Sequence, residues 1–242
     1  AGSDLAGLQN AVLDSIRPLL LELGTGDVRR IAVAGNTVMT CLFHGLDPSG
    51  IGVLPFIPPA RIFPERNDLF DGIPILTLPC IAGYVGGDIT AGLYETKLKS
   101  GEMLIDIGTN CEILFRSDKG MFCTAAAAGP AFEGAGMGCG RRAVDGAIDH
   151  YFGNGEYTVL GNVAPDGLCG SGMVDFLAVE RAAGHLNEFG RIQPKNECFE
   201  VASGVKIYEC DIEQLLKAKA AVWAGVRTLE SHVGTEARKI YL

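Results

Sequence analysis

The run Asp106–Asn110, with the sequence DIGTN, carries residue types that could bind a phosphate group. It follows a short apolar segment that predicts a buried strand, which would deliver the Asp106 carboxylate near its end. In a tight turn, the backbone N–H groups of Gly108, Thr109 and Asn110 can point at one anion. Asp106 would act through Mg²⁺ and its waters, because two anions repel each other. An ordinary β-turn, in which Asp and Asn are common, is the alternative that the spacing leaves open.

A second candidate lies in the glycine-dense stretch Ala128–Gly136. Its Gly-Pro pair is typical of the start of a helix, where free N–H groups favour an anion. Glu133 would lie in the first turn of that helix and could reach a donor on a ribose or an adenine. A purely structural glycine-rich turn is the alternative reading. The candidate nucleotide-binding residues of this segment are Gly129, Pro130, Glu133, Gly134 and Gly136.

Regular elements must hold these two segments in place. The residues from Met103 to Thr124 predict three consecutive antiparallel strands, with Gly108–Asn110 in the first turn and Asp118–Gly120 in the second. Further apolar strands are predicted at residues 30–35, 73–78 and 239–242. Apolar periodicity and capping residues predict helices at residues 4–23, 37–43, 85–97, 170–183 and 211–233.

Other common catalytic motifs fit the sequence poorly. There is no Gly-Lys-[Ser/Thr], which excludes a P-loop. The run GCGRRA at residues 138–143 resembles a dinucleotide fingerprint but lacks the strand that should precede it. Ser171 is not in a nucleophile elbow, because Cys169 stands where that motif requires glycine. The four histidines are scattered along the chain, so each is read as structural or solvent-facing.

Composition narrows the class of protein. The chain has 242 residues, 48% of them hydrophobic, which excludes a disordered protein. Its net charge of −9 is opposite to what a non-specific nucleic-acid binder needs. No uncharged run is long enough for a membrane span. The eight cysteines form no CxxC pair, so we expect reduced, mostly buried thiols in a cytoplasmic protein.

Taken together and in this order, the candidate segments resemble a known family. The DIGTN turn is similar to the second phosphate motif of the acetate/sugar kinase, Hsp70 and actin superfamily. Within it, the chain most resembles the ATPase domain of the reductive activators of corrinoid-dependent enzymes. The stretches that carry this resemblance are Val33–Met39, Ile81–Asp88, Leu104–Glu112, Ala126–Gly140 and Gly167–Gly172.

The resemblance implies an α/β fold with two ribonuclease-H-like halves, of which residues 1–102 would complete the first and residues 103–242 form the second. It implies a site for ATP and Mg²⁺, with Asp106 as catalytic residue and water-mediated metal ligand. It also implies that ATP hydrolysis drives reduction of Co(II) to Co(I) in the corrinoid protein of a methyltransferase system. In this family a separate N-terminal domain carries the [2Fe–2S] cluster.

Three features of the family are not found in the sequence: the first phosphate motif, the cysteine cluster and the adenosine motif. We therefore expect an interior piece of a longer protein, with much weakened nucleotide affinity and no activity alone. A small-molecule kinase of the same superfamily is an alternative, since Asp88, Asp145 and Asp149 could each serve as its general base. A non-catalytic interaction domain on this scaffold is another. Sequence leaves the oligomeric state open, a homodimer included.

Overall fold

A computed structural model describes residues 4–24 and 28–242. In these residues, five α-helices form where the sequence predicts them, within two residues at each end. The helices are α1 (Leu5–Glu22), α2 (Thr37–Phe43), α3 (Gly87–Thr96), α4 (Gly170–Ala182) and α5 (Glu209–Val233).

Side-chain caps explain where the first two helices begin. The Asp4 carboxylate accepts a hydrogen bond of 2.9 Å from the Gly7 N–H, one of the unpaired donors in the first turn of α1. The Asn36 side chain accepts one of the same length from Met39 at the start of α2. Because both caps act within three residues, they can be predicted from the sequence alone.

The strands are short and are distributed over several small sheets. In chain order they are β1 (Ile31–Val33), β2 (Ile75–Thr77), β3 (Glu102–Ile107), β4 (Cys111–Ser117), β5 (Gly120–Ala126), β6 (Ala147–Gly153), β7 (Glu156–Val159), β8 (Gly167–Leu168), β9 (Cys198–Ala202), β10 (Val205–Tyr208) and β11 (Lys239–Tyr241).

A four-stranded sheet in the order β11-β3-β4-β5 carries the candidate phosphate turn. The links from β3 to β4 and from β4 to β5 are too short for a parallel crossover, so the three strands form the predicted antiparallel meander. Strand β11 pairs in parallel with β3, and Ile240 lies opposite Met103. Met103 and Ile105 are buried, whereas Asp106 is exposed. The prediction for this region is confirmed.

Two further sheets were not predicted. Strand β6 pairs antiparallel with β7 and parallel with β8, and β9 pairs antiparallel with β10. The helix α4 packs against β6 through a shared apolar core. Gly155 lies in the turn between β6 and β7 and Gly204 in the turn between β9 and β10, so both antiparallel pairs are hairpins.

Contacts divide the chain into two compact units. The first comprises the residues up to Ile105, Glu112–Ala125 and Val233–Leu242; the second comprises Asp106–Cys111 and Ala126–His232. The second unit has one large apolar cluster, in which Phe176 and Met173 are fully buried. The first unit has smaller clusters around Ile89 and around Phe43. The assignment of residues 1–102 and 103–242 to two ribonuclease-H-like halves stays a prediction.

The cysteines are free thiols, as expected for a reduced protein. Burial raises the pKa of Cys41 to about 11, and burial together with the Asp211 carboxylate raises that of Cys139 to about 12. Both thiols are therefore protonated at neutral pH and poor nucleophiles. Among the helices of the described residues, none combines the length and the apolar character that a membrane crossing requires.

Candidate functional site

The run Asp106–Asn110 forms a compact, exposed turn between β3 and β4. Gly108 donates its N–H to the Asn110 carbonyl at 3.2 Å, which closes the turn. A Cβ on Gly108 would lie 3.3 Å from that carbonyl oxygen, so a side chain at this position would crowd the turn. The side chains of Asp106, Thr109 and Asn110 are exposed. These polar groups thus lie at the surface, at the end of a strand whose preceding residues are buried.

The second segment departs from its prediction. Pro130–Glu133 form a single 3-10 turn, and no α-helix begins there. The backbone of Gly134 is left-handed, with φ of +78°, and that conformation ends the helical turn at once. The prediction of an α-helix at Pro130 is therefore wrong, and with it the argument that the free N–H groups of a helix start favour an anion here.

Direct contacts join the two segments, although 24 positions separate Thr109 and Glu133 in sequence. The Glu133 carboxylate accepts hydrogen bonds from the Thr109 N–H at 3.1 Å and from its hydroxyl, whose oxygen lies 2.7 and 2.8 Å from the two carboxylate oxygens. In return, the Thr109 carbonyl accepts from the Gly129 N–H at 2.9 Å. The second segment therefore bonds to both the backbone N–H and the backbone carbonyl of Thr109.

This contact gives Glu133 a partner that sequence reasoning did not foresee. We expected its carboxylate to reach a ribose or an adenine. In the structure it is exposed and accepts from the Thr109 hydroxyl and from the Thr109 N–H, which is one of the three N–H groups that we assigned to phosphate. No sequence signal could have shown the contact between Glu133 and Thr109, since it depends on how the segment after β5 packs against the turn that follows β3.

Gly134 is glycine because of a close approach of backbones. A Cβ there would lie 2.2 Å from the Arg141 carbonyl oxygen, and one on Gly140 would lie 1.9 Å from the Gly134 oxygen. The segments before and after Met137 therefore pack backbone to backbone. Gly136 has the same φ of +78°, but nothing lies within 4 Å of a Cβ at that position.

A cavity of about 510 Å³ opens beside Glu133 in the same unit. Its size lies within the range of small-molecule sites. Arg141 pairs with the Asp166 carboxylate, whereas among the described residues no ion pair of Arg142 is found. The cavity is lined by Phe132, Glu133, Arg141, Arg142, Ala143, Cys169, Gly170 and Ser171.

Sequence reasoning missed this cavity. The two arginines drew attention only as part of a dinucleotide fingerprint that failed. Cys169 and Ser171 were considered as part of a nucleophile elbow that failed and of the family stretch Gly167–Gly172, but not as cavity residues. The Ser171 hydroxyl donates to the Asp149 carbonyl at 2.7 Å, and Cys169 is buried. Their shared role is to line one wall of the cavity at the start of α4.

The donor set of the turn suits Mg²⁺ held mainly by water and phosphate. Mg²⁺ prefers oxygen ligands and keeps several waters, so one or two protein carboxylates are enough. Asp106 is exposed at the end of β3 and has such oxygens. No group of three or more His, Cys, Asp or Glu side chains among the described residues could enclose a metal ion. The residues present therefore fit Mg²⁺ that arrives with a nucleotide better than a resident metal.

Comparisons with known proteins place this geometry in a family context. Residues 101–242 match the family described as the C-terminal domain of RACo, the ASKHA domain, and residues 2–101 match the RACo middle region. A solved structure, the reductive activator for a corrinoid, iron-sulfur protein, superimposes with a TM-score of 0.80 at 32% sequence identity. That alignment covers 98% of this chain and 45% of the solved chain.

Two relatives with assigned functions are also similar. The corrinoid activation enzyme RamQ of Eubacterium limosum is 27% identical over 269 residues, which cover 94% of this chain and 45% of RamQ. A reductase of the Co(II) methylated amine-specific corrinoid protein, from Methanosarcina barkeri, is 26% identical over 274 residues, which cover 94% of this chain and 50% of the reductase. The chain thus spans about half the length of these relatives.

Proposed function

This chain belongs to the RACo family, and from that membership we propose that it is the nucleotide-binding part of a reductive activator. In that role, ATP hydrolysis helps to drive the reduction of Co(II) to Co(I) in a corrinoid protein. The observation that carries the proposal is the exposed turn Asp106–Asn110 at the end of β3, in contact with the segment Gly129–Glu133. The chain spans about half the length of its relatives, so this activity is proposed for the whole protein.

Family membership also settles the fold class. The ASKHA domain is the actin-like ATPase fold, and both the family match and the superposition support it here. The predicted α/β fold of the acetate/sugar kinase, Hsp70 and actin type is confirmed. Such a domain binds a nucleotide with Mg²⁺ in general, which makes ATP the natural ligand of the candidate site.

The turn supplies the groups that would hold the phosphates. The backbone N–H groups of Thr109 and Asn110 lie in an exposed turn, where successive amides can converge on an anion. Asp106 would hold Mg²⁺ through water, and bound Mg²⁺ would neutralise phosphate charge. The cavity beside Glu133 has room for the nucleoside, with Arg142 as a cation at its wall. Gly134 and Gly136 shape the segment between turn and cavity.

The wider assignments follow from the relatives. Their names make corrinoid proteins the partners, and we expect the partner here to be the corrinoid protein of a methyltransferase system. The electron would come from a [2Fe–2S] cluster outside this chain. A cytoplasmic location and a homodimer remain expectations from the sequence.

The first prediction concerns Asp106 in the full-length gene product. Asp106→Asn keeps the size of the side chain but removes the charge that attracts Mg²⁺. We expect Mg²⁺-dependent ATP hydrolysis to fall about 100-fold or more, equivalent to about 2.7 kcal/mol of transition-state stabilisation. The measurement is the steady-state rate as a function of Mg²⁺ concentration.

The matched control is Asp71→Asn, at an exposed position in the other unit where φ is 47° and Asn is equally suited. It should leave the rate and its Mg²⁺ dependence unchanged. An Asp106→Asn protein that hydrolyses ATP normally would refute the assignment of this turn.

A further inference from the structure

The Glu133 carboxylate occupies the position at Thr109 that an anion would take. It accepts from the Thr109 N–H at 3.1 Å and from the Thr109 hydroxyl at 2.7 Å. A carboxylate and a phosphate oxygen are both anionic acceptors, and a bond of either kind to N–H is charge-assisted. One N–H and one hydroxyl proton cannot serve both acceptors fully. Glu133 and a bound phosphate therefore compete for the same donors.

The surroundings allow Glu133 to leave Thr109 without becoming an isolated charge. Its side chain is exposed, so water can solvate the carboxylate when it is displaced. It also lines a cavity whose other lining residues include Arg142 and Arg141, of which Arg141 is paired with Asp166. Opposite charges in one cavity favour a displaced carboxylate there. The contact with Thr109 is thus one of two environments that suit Glu133.

We propose that Glu133 is an internal competitor that holds Thr109 until the phosphates of a ligand displace it. The inference rests on the proposed function, since it assumes that phosphate binds at this turn. It makes Glu133 a determinant of specificity. A ligand with phosphates at the turn must displace the carboxylate, whereas a nucleoside that fills only the cavity need not. The apparent affinity for phosphate ligands is then the intrinsic affinity multiplied by the fraction of molecules in which Thr109 is free.

Three ligands separate these contributions in the full-length gene product: Mg²⁺–tripolyphosphate, Mg²⁺–ATP and adenosine. Binding is measured by calorimetry for the wild type, Glu133→Gln and Glu133→Ala. If Thr109 is free in about one molecule in ten, Glu133→Ala tightens tripolyphosphate and ATP about tenfold. Glu133→Gln should tighten both by less, because a neutral acceptor still bonds Thr109 but more weakly. Adenosine, which carries no phosphate to displace Glu133, should not bind more tightly to either variant.

The matched control is Glu156→Gln, an exposed glutamate at the start of β7 in the same unit. It loses the same charge from the protein but should leave all three affinities unchanged. A separate readout needs no ligand. The Thr109 amide resonance in the NMR spectrum should shift in Glu133→Ala and stay in place in Glu156→Gln.

The outcomes distinguish this inference from the proposed function. Unchanged or weaker tripolyphosphate binding in Glu133→Ala overturns the proposal that Glu133 competes with phosphate. It does not affect the proposal that the protein binds a nucleotide. Weaker ATP binding with unchanged tripolyphosphate binding also overturns the competition and makes Glu133 a contact of the ribose or the base. An unshifted Thr109 amide overturns it too. If the wild type and every variant fail to bind ATP and tripolyphosphate, the proposed function itself fails.

Discussion

Gly134 and Gly136 have the same backbone conformation but different reasons to be glycine. Both have φ of +78°, in the left-handed region that side chains with a Cβ rarely adopt. At Gly136 that conformation is the whole constraint, because a Cβ would meet nothing within 4 Å. At Gly134 a Cβ would also overlap the Arg141 backbone, at 2.2 Å from the carbonyl oxygen. At the scale of the residue, the requirement for a left-handed backbone can thus be separated from the requirement for space beside the Cα atom.

This pair gives a prediction about stability. Gly136→Ala should lower the free energy of unfolding by about 1 kcal/mol, the cost of a left-handed alanine. Gly134→Ala should lower it by about 3 kcal/mol or more, because two backbone segments must also separate. Urea denaturation of both variants measures the difference. Equal losses would mean that the Gly134–Arg141 approach is not tight in solution.

At the scale of the element, His44 links α2 to the strand β2. It follows the last residue of α2, is buried, and lies 2.9 Å from the Thr77 hydroxyl through Nε2. Its ring stacks on Phe63 with centroids 4.6 Å apart. Burial lowers the pKa of His44, the charge of Arg66 lowers it further, and Asp68 opposes the change. The folded state therefore favours the neutral imidazole.

Acid should therefore destabilise this element. Because the pKa of His44 is lower in the folded protein than the ordinary value near 6.5, the unfolded chain takes up more protons below that pH. Stability is present above pH 6.5 and is lost as the pH falls. Between pH 7.5 and 5.5 the loss from this group is at most about 1.4 kcal/mol. Thermal or urea unfolding at the two pH values measures it.

The comparison variant is His44→Gln, which cannot titrate and should show a smaller loss over the same interval. If His44→Gln retains the full pH dependence, the loss arises elsewhere.

At the scale of the whole molecule, the chain contains two compact units with separate apolar clusters. Phe176 is fully buried in the cluster of the second unit. Phe43 is 2% exposed in a cluster of the first unit, which also contains Leu13, Phe70 and Ile75. Each unit encloses its own buried side chains. This separation favours unfolding in two partly independent steps.

Hydrogen exchange can test that independence. Phe176→Leu and Phe43→Leu each change the shape of one buried side chain and should cost about 1 kcal/mol in their own unit. Exchange of the slow amides should then become about five times faster within the unit that carries the change. Amides of the other unit should keep their wild-type rates. Equal acceleration throughout the chain by either variant would indicate one cooperative unit.

Local signals made much of the secondary structure predictable. Asp4 and Asn36 cap helices three residues away, and the Lys119-Gly120 pair turns β4 back into β5. The order of the motifs along the chain also indicates the family. These features depend on neighbouring residues, so the order of amino acids is enough to reveal them.

Long-range arrangement was not predictable in the same way. The strands β6 to β10 were not predicted, because they are short and their stability depends on the strands with which they pair. The expected helix at Pro130 is a single 3-10 turn, since Gly134 must approach Arg141. A preference for helix within four residues cannot outweigh the packing of two backbones.

For the candidate site, the sequence by itself determined which residues carry the chemistry: an acid at the end of a strand, a turn rich in donors, and a glycine-dense segment. Only the tertiary structure decided that Thr109 and Glu133 bond each other and that Arg142 shares a cavity with Glu133. The physical reason is range. Residue type and local spacing set what a group can do, whereas contacts across many positions depend on how the whole chain packs.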